Sequence, residues 1–184
     1  MDYIESFLLN KLESGCKILS IDGRCASGKS TLAARLKQAG GYSIVCVDHF
    51  FLLPHMRTAD RAQEAGGNVD YDRFAYEVIR PILAGADFSY RPYNCQTNEF
   101  GKPVDIALSP GIIIEGAYSC HPKFGKYYDF SVFLDVSKDE QLRRLNERNP
   151  KALQMFQDKW IPLEEEYFAH FGIKDGCGHY YQND

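Results

Sequence analysis

The sequence predicts an α/β fold, with a doubly wound and mostly parallel sheet that carries helices on both faces. Short apolar runs of the kind that form buried strands occur at residues 18–21, 42–47, 112–114 and 130–136. Segments with apolar residues at helical spacing alternate with these runs. A glycine-rich loop joins the first run to the helical segment after it, as at the ligand-binding edge of such sheets.

The composition bounds the class of protein. The 184 residues suit one domain with a sizeable core, so we take residues 1–184 as a single domain. A net charge of −4 and the absence of a basic run argue against a nucleic-acid partner. Six scattered cysteines, no apparent signal peptide and no apolar run of membrane-spanning length predict a soluble cytoplasmic protein without a membrane partner. A monomer and a homo-oligomer are both compatible with these features.

The chain begins with a predicted helix over residues 2–14, because Ile4, Leu8 and Leu12 recur at helical spacing. An exposed interaction surface is the alternative use of such a helix. We favour packing of its apolar face against the sheet.

The loop after the first strand carries the most specific motif. Gly23 to Ser30 fits G-x-x-x-x-G-K-[ST], the phosphate-binding loop (P-loop) of nucleotide-handling proteins, and predicts the P-loop NTPase type of fold. Its glycines let successive N–H groups point inward, with the positive end of a helix dipole behind them. Lys29 supplies a cation that stabilises the β- and γ-phosphates, and the Ser30 hydroxyl can bind Mg²⁺. We expect the nucleotide to contact Gly23, Cys25, Ala26, Ser27, Gly28, Lys29, Ser30 and Thr31.

Carboxylates follow two of the later strands. Asp48 comes after the run at 42–47, and Glu115 comes after the run at 112–114. In open α/β sheets ligands bind outside the carboxyl ends of the strands, so Asp48 can face the phosphate site. A turn or helix cap is the alternative role for this residue. An acid after a branched aliphatic run, downstream of a P-loop, favours a metal-supporting role for Glu115.

The stretch between these two strands is long. Phe50 to Leu53 form either a pocket wall or a tucked loop, and residues 55–69 read as a long irregular loop. Residues 90–97 predict short strands and a turn, arranged as a hairpin with residues 104–108.

Two further helices carry start signals. One is predicted over residues 71–83, for which Asp70 is either the N-cap or a substrate ligand. The other follows the strand at 130–136, where Ser137 to Glu140 have the spacing of a capping box.

The C-terminal part predicts more helix and one strand. Apolar residues at helical spacing over 153–171 indicate one or two helices, with Pro162 breaking or restarting the pattern. Cys177 to Tyr181 are a candidate for a last short strand.

Together these segments resemble the uridine kinase-like branch of the P-loop kinases, which includes uridine–cytidine kinases, phosphoribulokinases and related small-metabolite kinases. The resemblance runs from about residue 17 to residue 148. The segments that carry it are the P-loop Asp22–Thr31, the strand end Val47–Phe51, the strand end Ile113–Gly116, and Phe133–Asp135 followed by Leu142–Leu145.

The resemblance implies a reaction. ATP would donate its γ-phosphoryl group to a hydroxyl of a small metabolite. The leading candidate for that metabolite is a nucleoside such as uridine or cytidine. It implies that Asp48 accepts the proton of that hydroxyl and is also one of the metal ligands. Glu115 and Ser30 would hold Mg²⁺. Arg144 would contact the phosphates from a lid at about residues 143–151.

The resemblance also implies an acceptor site. Its candidate residues are Asp70, Tyr93, Phe51 and Arg148. Phe51 stands where the nucleoside kinases carry a tyrosine, and Arg148 is displaced by one position from their last lid arginine. Cys95 and Asn98 replace a phenylalanine and a histidine of the base pocket. These departures leave open a kinase of the same fold for pantothenate, a nicotinamide riboside or a sugar phosphate, and, more distantly, a nucleotide-binding regulatory module.

Overall fold

The structure is a computed structural model, and it describes residues 2–184; Met1 lies outside the described residues. The helices are α1 (Asp2–Glu13), α2 (Lys29–Gly40), α3 (Ala59–Gln63), α4 (Tyr71–Phe74), α5 (Arg80–Ala84), α6 (Lys138–Arg148), α7 (Leu153–Met155), α8 (Ile161–Phe171) and α9 (Ile173–Gly176). The strands are β1 (Ile18–Gly23), β2 (Ser43–Cys46), β3 (Phe88–Tyr90), β4 (Tyr93–Asn94), β5 (Glu99–Phe100), β6 (Val104–Ile106), β7 (Ile112–Glu115), β8 (Phe130–Asp135) and β9 (His179–Gln182).

The main sheet has five strands in the order β2-β7-β1-β8-β9, and every neighbouring pair in it is parallel. The strand that leads into the P-loop is therefore central. Register places Glu115 opposite both Ile21 of β1 and Cys46 of β2, so the carboxyl ends of these three strands share one edge. The predicted α/β fold is confirmed, and so is the last short strand, which pairs with β8.

Helices cover both faces of this sheet. On one face the apolar sides of α1 and α2 pack on β1, β7 and β8, with Ile4, Leu8, Leu32 and Leu36 fully buried. On the other face the segment from α4 to α5 and helix α8 enclose a second core cluster. The packing role predicted for α1 is therefore confirmed.

Prolines explain the irregular turns in two helical segments. Wider π turns at Ala75–Ile79 and Phe156–Trp160 come just before Pro81 and Pro162. A proline has no N–H, and its ring clashes with the carbonyl four residues earlier, so a wider turn relieves both problems. Helical backbone therefore continues through Pro162, which neither breaks nor restarts the helix.

Between β2 and β7 the structure corrects two expectations. Strand β2 ends at Cys46, and Val47–Phe50 form a 3₁₀ turn instead of extending the strand. The expected irregular loop contains a 3₁₀ turn at Pro54–Met56 and helix α3. The expected hairpin is confirmed as an antiparallel pair of β3 with β6, and β4 pairs with β5 inside it.

The capping box predicted at Ser137 is wrong. Ser137 precedes α6, but its side chain makes no capping hydrogen bond. Its backbone N–H donates instead to Asp184 Oδ1 at 2.7 Å, and Glu140 accepts from Arg143 and Arg144. Stronger charged partners have replaced the local contacts that the motif offers.

Candidate functional site

The site lies at the edge of the sheet where β1, β2 and β7 end. Strand β1 leads into the loop at Gly23–Ser30, β2 leads into the turn that carries Asp48, and β7 ends at Glu115. Three segments that are far apart in the chain therefore present their functional groups at one place.

The loop has the backbone geometry that an anion-binding nest requires. Ala26 and Gly28 have φ values of 60° and 96°, so left-handed residues interrupt the turn and orient its N–H groups inward. Gly23 pairs with Leu134 of β8, and a Cβ on Gly23 would lie 2.0 Å from the Leu134 carbonyl oxygen. The first glycine is therefore required by the close approach of β8 as well as by its φ of 136°.

Lys29 is buried at the start of α2. Its Nζ donates to the carbonyl oxygens of Gly23 and Arg24, both at 2.7 Å, so the ammonium group lies inside the loop. Its positive charge lowers the pKa values of Asp48 and Glu115 and partly offsets the effect of burial on both.

Ser30 and Glu115 form the pair that could hold a metal ion. Ser30 Oγ lies 3.1 Å from each carboxylate oxygen of Glu115. Burial and the nearby charge of Asp48 raise the pKa of Glu115. Within residues 2–184 no group of three or more His, Cys, Asp or Glu side chains is arranged to hold a metal ion. A hydroxyl with one or two carboxylates nevertheless fits Mg²⁺, which keeps several waters and oxygen ligands.

Asp48 follows β2 in the 3₁₀ turn and is exposed to solvent. A Cβ built on Gly116 would lie 3.5 Å from Asp48 Oδ1, which places this carboxylate beside the residue that follows Glu115. Although the residue as a whole is exposed, partial desolvation of its carboxyl group raises the pKa of Asp48, and Lys29, His49 and Arg148 oppose that rise. Asp48 is thus an accessible carboxylate with increased affinity for a proton.

His49, the next residue, faces the small hairpin. Its Nδ1 lies 3.0 Å from the Tyr90 hydroxyl. Burial, helped by the charge of Arg73, lowers the pKa of His49 against the opposing effect of Asp48. The side chain therefore favours its neutral form beside Asp48.

The arginines predicted for the lid occupy different positions. Arg144 donates through Nη1 to the Ala26 carbonyl at 3.2 Å and through Nε to Glu140 at 2.7 Å, so it lies on the P-loop. Arg148 is exposed, and its guanidinium lies 5.5 Å from the centre of the Phe156 ring. Its charge still lowers the pKa of Asp48.

The acceptor-side candidates have partners of their own. Asp70 accepts a hydrogen bond from the Arg73 N–H at 3.0 Å, which is the N-cap contact expected for it. The Tyr93 hydroxyl donates to Asn98 Oδ1 at 2.8 Å and accepts from Arg57 at 3.3 Å.

Phe51 lies beside the C-terminal helices. Its ring stacks on Trp160, with centroids 5.7 Å apart and planes 9° apart. Its backbone also bridges to Val69. The structure thus gathers Lys29, Ser30, Glu115, Asp48 and Arg144 at the P-loop. In contrast, Asp70 caps its own helix, Tyr93 contacts Arg57 and Asn98, and Phe51 stacks on Trp160.

Sequence reasoning missed the residues that hold the P-loop from outside. Glu164 Oε2 accepts from the Cys25 N–H at 2.8 Å, and Gln141 Nε2 donates to the Cys25 carbonyl at 3.0 Å. Glu164 lies at helical spacing from Tyr167 and Phe168, which are buried. Its place on the apolar face of the helix could have indicated that Glu164 is buried. A run of three glutamates at 164–166, however, is typical of a helix surface that faces solvent.

The remaining P-loop candidates are placed as follows. Ser27 is buried, and its carbonyl accepts from Asn183 Nδ2 at 2.7 Å. Thr31 is exposed in the first turn of α2.

Within residues 2–184, none of the helices combines the length and the apolar character needed to cross a bilayer.

No protein-family model matches the chain. A solved structure described as a possible uridine kinase from Bacillus stearothermophilus is similar over 98% of this chain and 100% of that chain, with a TM-score of 0.73 and 18% identity. YFH7 from Saccharomyces cerevisiae is described as a candidate P-loop kinase with a circular permutation. It is similar over 100% of this chain and 98% of that chain, with a TM-score of 0.65 and 12% identity. At these identities the likeness establishes the fold, which is the α/β fold of P-loop kinases.

Proposed function

We propose that the protein is a kinase that transfers the γ-phosphoryl group of ATP to a hydroxyl of a small metabolite. The observation that carries this proposal is the meeting of Lys29, Asp48 and the Ser30–Glu115 pair at one edge of the sheet. A phosphate cradle alone suits any nucleotide-binding protein. An accessible carboxylate beside it is what a transfer to a hydroxyl additionally needs.

Phosphoryl transfer requires positioning and neutralisation of charge more than covalent chemistry. The P-loop N–H groups and Lys29 bind and orient the phosphates. Ser30 and Glu115, with Asp48 beside them, would hold Mg²⁺, which supplies charge neutralisation at the phosphate oxygens when it is bound.

Asp48 accepts the proton of the acceptor hydroxyl. To do so, its carboxylate must come within about 2.6–3.2 Å of that oxygen. The pKa of Asp48, raised by the surrounding protein, increases its strength as a base. The neighbouring charges of Lys29 and Arg148 limit that rise and favour the ionised form that is able to take up a proton.

Arg144 completes the phosphate site from α6. Its contact with the Ala26 carbonyl brings a cation to the loop, so that a small movement of the lid at about residues 143–151 would direct it to the phosphates. We propose that residues 1–184 act as one kinase domain. Six free thiols suit a reducing compartment, so we place the reaction in the cytoplasm.

For the acceptor we propose a nucleoside such as uridine or cytidine. The neighbour described as a possible uridine kinase supports it, as do Asp70 and Tyr93 at the matching positions. Arg57 favours a second class of acceptor, because its cationic group touches both Tyr93 and Asn98. A cation there suits an anionic acceptor such as pantothenate or a sugar phosphate. Arg57 gives no such support to nicotinamide riboside, the remaining alternative, because that molecule is itself a cation.

The first prediction tests the reaction with γ-labelled ATP and a panel of nucleosides, pantothenate and sugar phosphates. We expect label to move to at least one acceptor in a Mg²⁺-dependent manner. Asp48→Asn should lower turnover with that acceptor by about 10²- to 10⁴-fold, since it removes the proton acceptor. ATP affinity, measured by calorimetry, should stay within about threefold, because the P-loop contacts are kept.

Asp60→Asn, an exposed change on α3, is the matched control and should retain full turnover. Unchanged turnover in Asp48→Asn would remove this residue from the mechanism. Hydrolysis of ATP without any acceptor, or binding without turnover across the whole panel, would instead favour a regulatory nucleotide-binding module.

A further inference from the structure

Helix α8 reaches the P-loop through a buried carboxylate. Glu164 Oε2 accepts from the backbone N–H of Cys25 at 2.8 Å, across 139 residues of chain. Glu164 is only 7% exposed. A carboxylate of α8 is therefore bound to one of the amides of the loop.

Neighbouring contacts fix this arrangement. Arg24, the residue before Cys25, donates to both carboxylate oxygens of Glu165 at 2.5 and 3.0 Å. The Arg24 guanidinium also reaches Asp135 at 3.0 Å. From the other side Gln141 donates to the Cys25 carbonyl at 3.0 Å. Because the loop and α8 are held on several sides, Glu164 has one defined place relative to the Cys25 amide.

Carboxylate and phosphate oxygens are ligands of the same kind for a backbone amide, since both are anionic acceptors. Two anions at a single N–H repel one another, and the repulsion is strong where water is scarce. We infer that Glu164 is an internal competitor of the nucleotide, and that a phosphate takes over the Cys25 amide only when Glu164 withdraws or loses its charge. This inference rests on the proposed nucleotide site.

The charged and titratable groups around Glu164 indicate how the competition depends on pH. Burial raises the pKa of Glu164 to about 7, and Asp48 adds to the rise. Lys29 and both the N–H and the thiol of Cys25 oppose it. Tyr118, from the loop after β7, also lies within electrostatic range of Glu164. A bound phosphate would raise this pKa further, so nucleotide binding takes up a proton, and affinity decreases as the pH rises above about 7.

The second prediction measures ADP and ATP binding at pH 8 by calorimetry, with wild type, Glu164→Gln and Glu166→Gln. The amide of Glu164→Gln keeps an acceptor for Cys25 but removes the negative charge. We expect it to bind nucleotide about tenfold more tightly than wild type. Glu166 is exposed on the same helix, so Glu166→Gln removes the same charge elsewhere and should leave affinity unchanged.

A second measurement uses the unaltered protein. ADP binding to wild type at pH 7.5, in two buffers of different ionisation enthalpy, should show net proton uptake, and Glu164→Gln should abolish it. The wild-type result does not depend on how well any variant folds. Uptake in wild type that disappears in Glu164→Gln supports the competition.

Equal affinity in all three proteins, weaker binding by a folded Glu164→Gln, or the absence of proton uptake in wild type would overturn the competition. The proposed nucleotide site itself would survive these results, because nucleotide would still bind. Absence of nucleotide binding by all three folded proteins would overturn the proposed function, and this inference with it.

Discussion

Buried carboxylates near the P-loop differ in the number of donors that they receive. Asp22 is fully buried and accepts from the N–H groups of Gly23 and Cys120 and from the Tyr167 hydroxyl, at 2.7, 2.9 and 2.8 Å. These bonds counter the rise in the pKa of Asp22 that burial causes. Asp22 therefore fixes the start of the loop. Glu115 has Ser30 as its hydroxyl partner, which leaves its oxygens able to accept a ligand.

Glu164 gives the third prediction, at the residue scale. Burial raises the pKa of its carboxyl from the ordinary value of 4.5 to about 7 in the folded protein. Below about pH 4.5 both states hold the proton. Between about pH 4.5 and 7 the unfolded state ionises while the folded state keeps its proton, so the folded protein loses stability across that range and no more above it. Glu164→Gln carries no such carboxyl. We therefore expect the free energy of unfolding of Glu164→Gln, minus that of wild type, to be roughly 3 kcal/mol larger at pH 8 than at pH 4.

Urea denaturation at both pH values measures this difference. Glu166→Gln is the control and should follow wild type at both pH values, because its side chain is exposed. If the free energies of unfolding of wild type and Glu164→Gln changed in parallel between pH 4 and pH 8, the buried carboxyl would have an ordinary pKa.

At the scale of elements, the helical segment from α4 to α5 shows how local signals and tertiary constraints combine. Asp70 caps its first turn, as the sequence predicts, because the Arg73 N–H is one of the donors that a helix start leaves without a partner. Directly after this turn the helix widens into a π turn at Ala75–Ile79, which Pro81, two residues further on, accounts for. The pattern of apolar residues still predicts the correct buried face, since Phe74, Val78 and Ile82 are buried.

The fourth prediction separates the two roles considered for Asp70. Asp70→Ala should lower the free energy of unfolding by about 1 kcal/mol, because it removes the cap. Asp70→Asn keeps a capping oxygen and should retain stability. If Asp70 also binds the acceptor, Asp70→Asn raises the KM for the acceptor and leaves the KM for ATP unchanged.

Thermal or urea unfolding and steady-state kinetics provide the two measurements. Asp72→Ala, an exposed acid in the same first turn, is the matched control for the loss of a charge. Equal stabilities of Asp70→Ala and wild type would show that the cap contributes nothing.

At the scale of the whole molecule, the end of the chain supports the loop near its beginning. Strand β9 adds to the sheet beside β8, and the residue after it, Asn183, is buried. Asn183 Nδ2 donates to the Ser27 carbonyl at 2.7 Å, and its backbone N–H donates to the Asp135 carbonyl at 3.0 Å. The residue after β9 therefore holds the P-loop through one hydrogen bond to Ser27.

The fifth prediction concerns this contact. Asn183→Ala leaves the Ser27 carbonyl without its donor in a buried position, so we expect a loss of about 1–3 kcal/mol in the free energy of unfolding. Nucleotide affinity should fall with it, because the loop is less well held.

Urea denaturation and calorimetry measure the two effects, and Gln182→Ala, an exposed change in β9, should alter neither. A destabilised Asn183→Ala that binds nucleotide as tightly as wild type would mean that the contact serves the fold and not the loop.

Much of the fold follows from the sequence because its signals are local. Apolar runs predict β1, β7 and β8, and the glycine-lysine motif predicts the turn between β1 and α2. The capping box at Ser137 fails because the C-terminal residue Asp184 supplies a stronger partner for the Ser137 N–H. Local signals are reliable where no distant group competes for the same donor or acceptor.

The sequence by itself determined the order of the main strands and helices along the chain, the P-loop, and the acids that follow β2 and end β7, since each depends on residues that are adjacent in the chain. Only the tertiary structure decided that Glu164 holds the Cys25 amide, because the two residues are 139 positions apart. Whether a glutamate in a run of three meets water or an amide depends on the packing of α8 against the sheet. That packing results from many weak apolar contacts together, and no single segment encodes it.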